Sequence, residues 1–122
     1  VKASLEIQKA LVTTLEGLGL AVYDYLPQKA SYPFILIGDD RQRSLEVKNG
    51  DYVEVTSTIT VFSNYKGNKE VKTILEQIRN CLDLITDTYI VVGSKVTDSF
   101  VVYDNKNTVN QGILEVIFKL LK

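Results

Sequence analysis

From Tyr52 to Phe62 the chain alternates without a break: Val53, Val55, Ile59 and Val61 fall on one side, and Glu54, Thr56, Thr58 and Thr60 on the other. A period of two places successive side chains on opposite faces of a strand, so this segment predicts a β-strand with one buried and one wetter face. A one-sided strand needs a partner layer. The same chain offers two. "SLEIQKALVTTLEGLG" repeats apolar residues at Ile7, Leu11, Leu15 and Leu18 and stops at Gly17 and Gly19, which reads as a first helix. Asn68 reads as the N-cap of a second helix, with a buried stripe of Val71, Ile74, Leu75, Ile78, Leu82 and Ile85.

The remaining apolar segments complete the expected architecture. Residues 34 to 37 read as a short buried strand after the turn-rich "YLPQKASYP", and "TYIVVGSKVTDSFVVYD" and "QGILEVIFKLL" as two strands joined by the turn "DNKN". The order helix, two strands, helix, two strands predicts an α+β fold of two layers: an antiparallel four-stranded sheet, αββαββ, with both helices on one face. At 122 residues, with no internal repeat or linker, residues 1–122 are expected to form one domain.

Function is bounded mainly by exclusion. The chain contains no histidine, so no Ser-His, Cys-His or His-metal site can be assembled within it. Cys81, the single cysteine, lies beside the apolar stripe and is expected to be a packed thiol, one that cannot form an internal disulfide and that suits a reducing compartment. Asp39 and Asp40 are adjacent on a strand and are not expected to converge on a metal. "NYKGNK" lacks the glycines and the Lys-Ser/Thr pair of a phosphate loop, and no cofactor is expected. Fourteen basic and fifteen acidic residues are interspersed for a net charge of −1, which gives no electrostatic reason for tight nucleic-acid or membrane binding. The aromatic residues therefore read as core and edge packing instead of a base-stacking platform. The apolar runs fall far short of the roughly 20 residues that span a bilayer, and no charged-then-apolar leader opens the sequence.

One segment resists the simple reading. Between the two strands, "GDDRQRSLEVKNGD" is heavily charged yet holds Leu45 and Val47, and Arg41 to Asp51 is longer than the two to five residues that usually close a hairpin. It is expected to be a loop acting as an arm toward a neighbouring subunit. Its candidate interface residues are Arg41, Arg43, Leu45, Glu46, Val47 and Lys48.

"YPFILIGDD", the charged connection and "VTSTITVFSNYKGNKEVKTILEQIRNCLD" together resemble the tail-terminator, or tail-completion, proteins of tailed bacteriophages and prophages. The resemblance is carried by Tyr32, Pro33, Gly38, Asp39, Phe62, Ser63, Gly67, Lys69 and Glu70, with Gln111 and Gly112 opening the last strand. The last strand, "ILEVIFKLL", is more apolar than the family's usual one, and "DNKN" stands in place of an Asp-Pro-Asp-Gly turn. The resemblance implies a non-enzymatic virion protein located in the tail, assembled in the host cytoplasm. It further implies a homo-hexameric ring on the end of the tail tube that stops tube growth, contacts the tail tube protein and the head connector protein, and meets DNA only in passage. The competing expectation is a small nucleic-acid-binding or regulatory interaction module.

Overall fold

The structure is a computed structural model and describes residues 2–47, 50–104, 106 and 108–121. In chain order it comprises α1 (Lys2–Glu16), β1 (Ala21–Tyr23), β2 (Phe34–Val47), β3 (Gly50–Ser63), α2 (Lys69–Arg79), β4 (Ile90–Asp104) and β5 (Val109–Leu121). Five strands form one sheet in the order β1-β2-β3-β5-β4. The expected four-stranded antiparallel αββαββ sheet is thus incorrect: β1 adds a fifth strand and pairs parallel to β2, which makes the sheet mixed. Its three residues, Ala-Val-Tyr, are too few to carry a period.

The alternation in β3 does what its chemistry requires. Val53, Val55, Ile59 and Val61 are buried, and they pair across the sheet with Leu120, Phe118, Leu114 and Gly112 of β5, so the two central strands present one continuous apolar face. Ala3, Ile7, Leu11 and Leu15 of α1 and Val71, Ile74, Leu75 and Ile78 of α2 join the same buried cluster, which places both helices on that face. Burial of this many aliphatic side chains, each contributing about 1.5–3 kcal/mol, is the main force holding the layers together. α1 ends where Gly19 takes a left-handed backbone, φ +82°, a conformation open to glycine at little cost.

Two details of α2 differ from the sequence reading. Asn68 occupies the N-cap position, but its side chain makes no capping bond. The helix also stops at Arg79, so its stripe does not extend to Ile85. Beyond the stop the chain is non-helical: Leu82 and Leu84 turn into the core, and Ile85 is 90% exposed.

The layers approach closely at Gly112. A Cβ there would lie 2.7 Å from Val71 Cγ2 and 2.8 Å from Leu75 Cδ1, so α2 rests directly on the β5 backbone. Gly112→Ala should therefore destabilise the protein by about 1–3 kcal/mol through overpacking. Thermal melts monitored by circular dichroism check this, and a variant that melts with wild type would show that α2 is not seated there.

Candidate functional site

From Arg41 to Val47, and again at Gly50 and Asp51, the charged stretch is strand and not the expected loop. Its residues continue the ladder of β2 and β3, with Arg41 opposite Thr56, Gln42 opposite Val55, Arg43 opposite Glu54, and pairing followed to Val47 opposite Gly50. β2 and β3 thus pair antiparallel along their outer halves as far as Val47 and Gly50. Arg41 and Arg43 are exposed, and Arg43 Nε lies 3.8 Å from Glu54 Oε1, an exposed contact of small energetic weight. Leu45, Glu46 and Val47 are described in their backbone alone, and Lys48 lies outside the described residues.

A bulge separates the two halves of β2. Gly38 pairs with Thr58 and Arg41 with Thr56, so Asp39 and Asp40 together face the single Ser57. The extra residue shifts the phase of the strand. Before the bulge the odd-numbered Ile35 and Ile37 face the helices. After it the even-numbered Gln42 and Ser44 share that face, aligned with Val55 and Val53. Ser4 N donates to Gln42 Oε1 at 3.1 Å, which ties the start of α1 to the outer half of the hairpin. β1 pairs only with Phe34–Leu36. Beyond Leu36, β2 is consequently paired on its β3 side alone and forms a sheet edge on the other, with no strand there among the described residues.

On the far side of the sheet, β4 forms the other edge. Ile90, Val92, Phe100, Val102 and Tyr103 on this strand are large apolar or aromatic residues left exposed. The sequence reading took the aromatic residues here as packing. The available signal was the run of apolar residues at consecutive positions, "FVVY", which cannot all turn toward a one-sided core.

The end of the sheet remote from the hairpin tip is tied together by side-chain hydrogen bonds. Buried Ser63 donates to Glu70 Oε1 at 2.6 Å and accepts from Tyr65 N, and its cross-strand partner Asn110 donates to the carbonyls of Tyr65 and Gly67. These bonds do the work of fixing the turn into α2 that a side-chain cap from Asn68 does not. Nearby, Phe34 and Phe62 stack at 4.8 Å between centroids, and Tyr23 and Tyr32 pack against Phe34. Asn110 was not anticipated from sequence.

Cys81 is half-buried, and its thiol donates to the Ile78 carbonyl at 3.3 Å. Burial pushes its pKa up, which disfavours the thiolate and so the nucleophile. Among the described residues no group of three or more acidic or cysteine side chains could hold a metal ion, and no helix is long and apolar enough to cross a membrane.

A family profile described as tail completion protein gp17 matches residues 3–120. Solved structures share the fold, among them the following two. A chain from the virion of a native gene transfer agent particle superimposes with a TM-score of 0.76 at 16% identity, over 95% of this chain and 98% of that one. The gp17 protein of bacteriophage SPP1 gives 0.63 at 23% identity, over 97% and 91%. No curated protein matches the sequence.

Proposed function

The chain belongs to the tail completion protein gp17 family, and from this premise we propose that it closes the end of a phage or prophage tail as a homo-hexameric ring and joins the tail to the head connector. The family match across residues 3–120 is the observation that carries this reading. The role is structural and non-enzymatic: the protein acts as a single unit in the tail of the virion, after assembly in the host cytoplasm, against the tail tube protein on one side and the head connector protein on the other.

A ring built head to tail uses two different surfaces of each subunit. The outer half of the β2–β3 hairpin is one of them in our reading, with Arg41, Arg43, Leu45, Glu46, Val47 and Lys48 as its contact residues. What supports the assignment is an exposed and unpaired strand edge carrying two arginines on a segment that projects past β1. Charge at such a rim selects partner and register more than it adds affinity.

Removal of the gene from a phage or prophage that encodes the chain should leave filled heads and unjoined tails of irregular length, visible by electron microscopy, and the wild-type gene should restore joined particles. Normally joined particles in its absence would sink the reading. DNA passes through such a ring without being held, which a chain with balanced charge permits. The purified protein is accordingly expected not to bind duplex DNA at physiological salt in a filter or anisotropy assay. Binding at micromolar concentration that weakens steeply with salt would favour a nucleic-acid module.

A further inference from the structure

We propose that β4 of one copy receives the outer half of β2 from a second copy by antiparallel strand addition, so that the sheet continues from subunit to subunit; the proposal rests on the ring reading above and identifies the second of its two surfaces.

Strand direction comes first. β2 is antiparallel to β3, β3 to β5, and β5 to β4, so β2 and β4 point in opposite directions within one sheet. A neighbour placed in the same orientation sets its β4 antiparallel to this β2. The pairing that a head-to-tail contact requires is thus the ordinary antiparallel one, and it leaves each subunit one edge to give and one to receive.

The receiving edge is suited to it. Proteins protect exposed edges with prolines, charges and bulges. The two irregularities of β4 lie at Val91/Gly93, near its start, and at Val96/Asp98, at its middle. From Asp98 to Asp104 the strand is regular, has no proline, and exposes Phe100, Val102 and Tyr103. The incoming segment has a matching extent: after its own bulge β2 is regular from Arg41 to Val47. Charge is complementary as well. Asp98 and Asp104 are the ionisable ends of the β4 run apart from the phenol of Tyr103, whereas β2 brings Arg41 and Arg43 against a single Glu46.

Laid end to end, the two runs place Arg41 opposite Asp104 and Ser44 opposite Val101. The faces agree in this register. Ser44 is aligned with Val53 on the helix side, and Val101 with Gly112, on which α2 rests. Helix side thus meets helix side, and main-chain bonds between the edges supply the affinity, as in other cases of strand addition.

The test uses the full chain with Cys81→Ser as background and the pair Ser44→Cys and Val101→Cys. Within one subunit these positions lie on strands three spacings, about 14 Å, apart and are further displaced along them, Ser44 being level with Val91 and Val101 with Ile35, too far for a disulfide. Mild oxidation should therefore give a ladder of covalent multimers on a non-reducing denaturing gel, lost on reduction. The control pair, Ser44→Cys with Ser94→Cys, keeps the helix-side face but is out of register and should give no ladder. Light scattering on wild type at matched concentrations separates the ways to fail. Oligomers whose 44/101 pair gives no ladder would overturn the edge contact and leave the ring reading standing. Protein that stays monomeric at every concentration and does not cross-link would overturn both. Equal ladders from the two pairs would mean random collision and overturn the contact.

Discussion

Ile59→Asp should abolish the cooperative melt. Ile59 is fully buried in the central strand β3, with Ile37 of β2 and Leu114 of β5 as its cross-strand partners. Among the described residues no basic side chain is buried, so the carboxylate would be left without a buried partner ion. The loss of aliphatic packing, together with the burial of an uncompensated charge or its forced protonation, costs on the order of 5 kcal/mol or more. Domains of this size hold roughly 5–15 kcal/mol in all. Far-ultraviolet circular dichroism against temperature is the measurement, with Thr58→Asp as control: its neighbour in sequence sits on the opposite, half-buried face and should melt cooperatively. Cooperative unfolding of Ile59→Asp within a few degrees of wild type would mean that the helix-side face has been assigned to the wrong side of the sheet.

Shortening the hairpin should do the reverse, sparing the fold and ending the function. The register shows where to cut. Leu45 is opposite Tyr52, so replacing Glu46 to Asp51 by Asn-Gly closes the hairpin on an existing rung with a two-residue turn suited to strand twist. Cutting back to Arg41 would instead remove the β2 partners of Tyr52 and Val53 and disturb a buried position. Because the cut removes only the rungs beyond Leu45 and Tyr52, the shortened protein should lose little more than about 1 kcal/mol. Tail joining in a complementation assay should fall to the level of the gene deletion. Wild-type joining by a well-folded shortened variant would show that the tip takes no part in assembly.

Legibility followed burial. β3 could be read residue by residue because one face of it is packed and the other is not. The outer half of β2 could not: the positions it sets on the helix-side face are the polar Gln42 and Ser44, and the bulge at Asp39–Asp40 breaks the phase inherited from Ile35 and Ile37. The same segment stood out for its charge, and it was expected to be a loop where the structure has paired strand. Helix α2 was legible up to Ile78 and misread beyond, because Leu82 continues a helical spacing by coincidence while the non-helical chain buries Leu84 in place of Ile85. The β4 edge was hidden for the opposite reason. Apolar side chains signal a strand equally well whether they are packed in a core or left at an edge, and sequence alone carries no record of which neighbour covers them.

The bulge in β2 has a further consequence, for how the hairpin can change in length. It works as an expansion joint. Asp39 and Asp40 share one partner, Ser57, so one of them could be lost and the ladder would close up with Ile37 still opposite Ile59 and Gln42 still opposite Val55. A residue lost elsewhere in a regular strand turns over everything on one side of the loss. Here the slack is stored at one point, between the half of the strand bound to the core and the half that reaches outward, and either half can be adjusted by a residue while the other keeps its face.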